Sequence, residues 1–174
     1  MTAPLNEAYW EKRYQQGQTG WDAGQITTPL KAYIDQLTNK TLKILLPGAG
    51  NSHEAAYLYY QGFTNIFVAD IAISPLQNFA SKVPNFPSNN LLHDDFFNLT
   101  GTYELVLEQT FFCALEPPLR YEYAKKMHSL LGRGGKVAGV LFNFPLTKEG
   151  PPFGGDKKEY LGYFEKYFHI KTLE

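Results

Sequence analysis

The run Ile44-Leu45-Leu46-Pro47 closes on Gly48-Ala49-Gly50, and a helical pattern follows over residues 52–61. A short apolar run without polar alternation is the profile of a strand covered on both faces of a parallel sheet. A parallel sheet needs a long crossover after each strand, usually helical, so this one junction constrains the rest of the chain. The remainder agrees with it. Further strand-like runs lie at 65–70, 89–93, 103–108, 136–144 and 169–173, with a glycine-rich turn at 132–135. Between and before them, helical spacing marks 5–17, a segment opened by Thr28-Pro29, and 75–82, 120–131 and 157–167. This alternation predicts an α/β fold: a doubly wound, mostly parallel sheet flanked by helices, in a single domain over 1–174. The antiparallel strand that usually finishes such sheets has no counterpart in the sequence.

The 174 residues are ample for one core, and the net charge of −1 gives no basic face for nucleic acid or an anionic membrane. No apolar stretch approaches the roughly 20 residues that span a bilayer, and the N-terminus lacks the pattern of a signal peptide. With Cys113 as the single cysteine there is no internal disulfide, which suits a reducing cytoplasm. Cys113 reads as a buried apolar thiol rather than a nucleophile, since no histidine and carboxylate accompany it. The four histidines show no metal-ligand spacing, so no metal is expected.

Ligands of doubly wound sheets bind beyond the carboxyl ends of the strands, where strand order reverses. Gly48 and Gly50 stand at such an end and permit positive φ and close approach. The third glycine of a dinucleotide fingerprint is missing, as is the Lys-Ser/Thr of a phosphate loop. Asp70 ends the next run, 20 residues after Gly50, where a carboxylate can accept from a ribose diol. Glycine turn and Asp70 together suit either NAD or S-adenosylmethionine. Asp94-Asp95-Phe96-Phe97 offers an acceptor beside an aromatic plane, as an adenine needs, and equally reads as a capped turn over a core Phe. Glu108-Gln109-Thr110-Phe111-Phe112 ends the fourth run at the same sheet edge. Its polar residues could face a cofactor and its aromatics wall a pocket.

Six segments in order resemble the thiopurine S-methyltransferase family of class I, Rossmann-like methyltransferases, and within it the thiol and halide or thiocyanate branch. They are Tyr9-Trp10-Glu11-Lys12-Arg13-Tyr14 with Trp21-Asp22-Ala23-Gly24; Leu46-Pro47-Gly48-Ala49-Gly50; Asp70-Ile71-Ala72-Ile73-Ser74; Asp95-Phe96-Phe97; Thr110-Phe111-Phe112-Cys113-Ala114-Leu115 with Leu119-Arg120; and Gly150-Pro151-Pro152-Phe153. The resemblance implies an enzyme that uses S-adenosyl-L-methionine to methylate a small, sulfur-type nucleophile. It implies an N-terminal helical lid over 1–38 on a core over 39–174. Trp10, Tyr14 and Trp21 would lie over the cofactor, Leu46, Gly48 and Gly50 would line its methionine and ribose region, and Asp70 would take the ribose hydroxyls. Asp95 and Phe96 would hold the adenine, with Gln109 and Thr110 near the carboxylate or sulfonium end. Phe111, Phe112, Phe144 and Phe153 would form the acceptor pocket. A cytoplasmic monomer or weak homodimer with a small-molecule partner is expected.

Two departures shape that expectation. Phe144 stands where halide and thiocyanate enzymes tend to place a tyrosine, which disfavours small anions and favours a more apolar thiol. Gln109 stands where thiopurine enzymes carry an arginine. An NAD-dependent enzyme, or a non-catalytic binder of S-adenosylmethionine, are the alternatives.

Overall fold

A computed structural model describes residues 4–174; the first three residues of the expected lid lie outside the described residues. Five parallel strands form one sheet: β1 (Ile44–Pro47), β2 (Ile66–Asp70), β3 (Leu91–His93), β4 (Tyr103–Gln109) and β5 (Leu131–Val140), in the order β3-β2-β1-β4-β5. Strand order therefore reverses between β1 and β4, and their carboxyl ends flank a crevice.

Side-chain alternation explains the two layers. Ile44 and Leu46 of β1 face one way, against Ile34 of α2 (Thr28–Asp35), Ala55 and Leu58 of α3 (His53–Tyr60), and Leu76 and Phe79 of α4 (Ile73–Lys82). Leu45 faces the other way, with Val106, against Tyr123 and Met127 of α5 (Arg120–Ser129) and Tyr160 of α6 (Lys157–Phe164). Both faces being covered, β1 is buried at every residue.

The N-terminal helix α1 (Glu7–Gln15) has no fully buried residue, so its own packing does little to hold it. It is moored by side-chain hydrogen bonds instead. Glu11 Oε2 accepts the Ser74 backbone N–H at 3.0 Å, and the Ser74 hydroxyl donates to Glu11 Oε1. These bonds satisfy a free N–H in the first turn of α4 and hold the Glu11 carboxyl below its usual range, against a smaller upward pull from burial.

Two expectations require correction. The expected turn at 132–135 is a bulge inside β5: Tyr103 pairs with Leu131 and Leu105 with Lys136, with Gly134 at φ 78° absorbing the extra length. β5 then ends at Val140 rather than at 144. The expected sixth strand at 169–173 does not form, although β5 is the edge of the sheet and its outer side is unpaired. Here Phe168 and Leu173 fold back onto the aromatic core cluster instead. Among the described residues no helix is long and apolar enough to cross a membrane.

Candidate functional site

A cavity of about 740 Å³ opens at the carboxyl ends of β1, β2 and β4. Its floor is the turn after β1. Gly48 and Gly50 hold φ of 55° and 53°, in the left-handed region. A Cβ on Gly48 would fall 2.2 Å from the Phe111 ring, and one on Gly50 would fall 2.9 Å from the Tyr14 hydroxyl. Backbone conformation thus favours glycine at both positions, and at Gly48 the close approach of Phe111 demands it as well.

Asp70, at the end of β2, is 6% exposed. Its Oδ2 accepts the Gly50 N–H and its Oδ1 the Ala72 N–H, each at 2.9 Å. Each oxygen keeps a further lone pair, so the carboxyl can serve a ligand while bracing the loop. Burial raises its pKa to about 6, with the two N–H bonds pulling the other way. Asp95 Oδ1 accepts the Phe97 N–H at 2.9 Å and starts the short turn Phe96–Asn98, with Phe96 buried beneath.

At the end of β4, Thr110 takes a left-handed φ of 61°, which swings the chain from strand into a short turn. The wholly buried Glu108 carboxyl fixes that turn: Oε1 accepts the N–H of Phe111 at 2.9 Å and of Phe112 at 2.7 Å. Burial lifts the Glu108 pKa to about 7. Gln109 Oε1 accepts the Thr27 hydroxyl at 2.5 Å, joining the loop before α2 to the cavity rim.

The ceiling is aromatic. Trp10 and Trp21 meet edge to face at 5.4 Å between centroids, and Tyr14 and Trp21 at 5.7 Å. Asp22 latches this loop to α3: it pairs with His53 Nε2 at 2.7 Å and also takes the Asn51 amide and the Gly24 N–H. Burial pulls the Asp22 carboxyl up, but these bonds prevail and hold it below its usual range. At the far end, Arg120 is fully buried over the Phe112 ring. It donates to Glu159 at 3.0 Å and to the Phe153 carbonyl at 3.1 Å, pinning the 150–155 loop. Burial pushes the Cys113 thiol up to about 12, with the Glu108 charge adding to it, so it is protonated at neutral pH and no nucleophile.

Of the residues singled out from the sequence, Trp10, Tyr14, Trp21, Gly48, Gly50, Asp70, Asp95, Phe96, Gln109, Thr110 and Phe111 all line this one cavity. Four do not. Leu46 points into the core beside α3, on the far face of β1. Phe112 is 1% exposed, because the turn after Thr110 rotates it into the core while Phe111 stays on the wall. Phe144 stands outside the lining, bridged to Gly155, and Phe142 takes the place on the wall expected of it. Phe153 is buried against the core, and its neighbours Pro151 and Pro152 face the cavity. Arg13, Asp22, Asn51 and His53 also reach the lining. Arg13 and Asp22 belong to the N-terminal segment and Asn51 and His53 directly follow the glycine turn, but nothing in their spacing gave any of them a role.

The family model described as thiopurine S-methyltransferase matches residues 5–174. The chain is similar to a probable thiol methyltransferase 2 of Arabidopsis thaliana: 27% identical over 155 residues, 87% of this chain and 69% of the relative. It is also similar to thiocyanate methyltransferase 1 of Brassica oleracea, 28% identical over 158 residues, 86% of this chain and 68% of the relative. Among solved structures, a 1,6-didemethyltoxoflavin-N1-methyltransferase of Burkholderia thailandensis, with bound 1,6-didemethyltoxoflavin and S-adenosylhomocysteine, shares the fold. The TM-score is 0.77 at 17% identity, covering 96% of this chain and 80% of that one.

Proposed function

Because the chain belongs to the thiopurine S-methyltransferase family, we propose that it transfers a methyl group from S-adenosylmethionine to a small thiol or related sulfur nucleophile. The observation that carries this reading is the convergence of Gly48, Gly50 and Asp70 with the aromatic ceiling on one cavity at the switch point of the sheet. The residues fit the cofactor. Asp70 retains free lone pairs for a ribose diol, and the cavity is within the roughly 300–1,000 Å³ of small-molecule sites.

Bound there, S-adenosylmethionine supplies an electrophilic methyl group on a sulfonium cation. Trp10, Tyr14 and Trp21 offer ring faces that attract such a cation and keep water from it. Gln109 and Thr110 at the end of β4 contact the amino-acid end, and Asp95 and Phe96 the adenine. Phe111, Phe142, Pro151 and Pro152 shape the acceptor side. A thiol that is already ionised needs alignment and exclusion of water more than a general base. Cys113, which burial keeps protonated, offers no thiolate to the reaction. The segment over 1–38 serves as the lid, in a cytoplasmic protein acting on a small molecule as a monomer or weak homodimer.

Calorimetric titration with S-adenosylhomocysteine, alongside NADH, tests the cofactor, and a panel of thiols assayed for S-adenosylhomocysteine release tests the reaction. Binding of S-adenosylhomocysteine with turnover of at least one thiol is expected. Tight NADH binding with none of S-adenosylhomocysteine overturns the reading.

A further inference from the structure

Arg13 is the single Lys or Arg in a cavity lining that also holds the carboxylates of Asp22, Glu54, Asp70, Asp94, Asp95 and Glu116. Among the described residues none of these, nor any other acid, lies within ion-pair distance of it, and no hydrogen bond from its guanidinium is made. The three residues outside the description are Met, Thr and Ala, which add no side-chain carboxylate. The Arg13 Nε is shut off from solvent with no acceptor. What holds the group is aromatic: its Cζ sits 5.4 Å from the Trp21 ring centroid and 5.5 Å from that of Tyr9. Stacking restrains a guanidinium in one plane and offsets part of its lost hydration, but leaves its donors open. The contrast is Arg120, whose Nε is also unbonded but whose other nitrogens are taken by Glu159 and the Phe153 carbonyl. Arg120 is committed to the fold, whereas Arg13 has nothing to donate to within it.

A stacked, unpaired guanidinium in a cavity wall suits a planar anion, taken by two parallel N–H···O bonds. We propose that Arg13 receives a carboxylate of the bound ligand: the amino-acid carboxylate of the cofactor, or an acid group on the acceptor. This rests on the cavity being the methyl-transfer site. It makes Arg13 a ligand-binding residue and, if the carboxylate is the acceptor's, defines the substrates as acidic thiols.

The test compares wild type with Arg13→Gln and Arg13→Lys. If the cofactor is the source, Arg13→Gln weakens S-adenosylhomocysteine binding by about tenfold or more, the effect of losing a charged hydrogen-bond pair. Binding of 5′-methylthioadenosine, which lacks the carboxylate, stays unchanged and reports an intact fold. If the acceptor is the source, S-adenosylhomocysteine binding is unchanged. The KM for mercaptoacetate then rises by about tenfold or more while that for 2-mercaptoethanol holds. Arg13→Lys recovers part of the loss in either case, since it keeps the charge without the fork. The proposal is overturned if neither quantity moves, or if all four ligands weaken alike, as a purely structural role requires. A wild-type protein that binds no S-adenosylhomocysteine overturns the methyltransferase reading as well; wild-type binding with Arg13→Gln unchanged in both S-adenosylhomocysteine affinity and mercaptoacetate KM overturns this proposal alone.

Discussion

Asp70 Oδ2 accepts the backbone N–H of Gly50 at 2.9 Å, so the end of β2 braces the loop that ends β1. The same carboxyl is therefore a strut of the loop and, in the proposed site, the acceptor for the cofactor's ribose. Replacing it by alanine, Asp70→Ala, removes an acceptor from two N–H groups and from that proposed contact. S-adenosylhomocysteine affinity is expected to fall by about 1–3 kcal/mol, with a lower melting temperature. The pKa of about 6 adds a pH signature, since protonation as pH falls through that value removes the charged acceptor. Titration calorimetry at pH 5 and pH 7.5 checks both; equal affinity at the two pH values refutes the assignment.

Glu108 carries a second pH dependence, this one in stability. Its folded pKa of about 7 lies above the reference value of 4.5, so the folded state holds a proton that the unfolded chain has lost. The stability from this group is full below about 4.5 and is lost as pH rises through about 7. Glu108→Gln keeps an oxygen for the Phe111 and Phe112 N–H groups and never ionises. Its melting temperature relative to wild type should climb between pH 5 and pH 8. A constant difference across that range contradicts the titration.

Glu11→Ala severs the bond between α1 and Ser74 while leaving the sheet untouched. The expected result is several-fold weaker S-adenosylhomocysteine binding and early protease cleavage within α1, with the unfolding transition of the core little changed. Limited proteolysis followed by mass spectrometry reads the first cuts. Resistance equal to wild type means that α1 is held by something else.

Acceptor choice should respond to Phe142 and not to Phe144. Phe142 lines the cavity and is 40% exposed, whereas Phe144 lies outside it. Phe142→Ala is expected to alter relative kcat/KM across a thiol panel severalfold, and Phe144→Tyr to leave the ranking as it is. A gain in iodide or thiocyanate methylation by Phe144→Tyr alone would reverse this assignment.

Arg120→Met removes a buried guanidinium from the part-exposed Glu159 carboxyl and from the buried Phe153 carbonyl. A loss of about 1–3 kcal/mol of folding stability is expected, the usual cost of leaving a buried acceptor unmatched. Denaturant unfolding measures it; a loss under about 1 kcal/mol would make the contact with Glu159 incidental.

The sheet was legible because its strands are buried on both faces and so read as plain apolar runs, and because Gly50 and Asp70 are set apart by one crossover unit. Other features were beyond sequence reading for identifiable reasons. Phe142 and Phe144 share strand parity, so alternation cannot separate them once β5 stops at Val140. Phe111 and Phe112 are neighbours separated by a turn that Thr110 starts at φ 61°, a conformation its residue type does not announce. The segment at 169–173 has strand-like residues, but Leu173 packs onto the aromatic core cluster and the segment does not pair along the free edge of β5. The Glu11–Ser74 and Asp22–His53 contacts span 63 and 31 positions and follow from how the N-terminal segment docks.

Those two contacts stand at either end of the aromatic ceiling, and both are carboxylates holding donors of the core. If the segment closes the site as proposed, traffic past that ceiling waits on the breaking of these oriented bonds as well as on the grip of the walls beneath. The residence time of a molecule under the Trp10–Trp21 pair is then a property of the bolts, which a slow release of spent product would inherit.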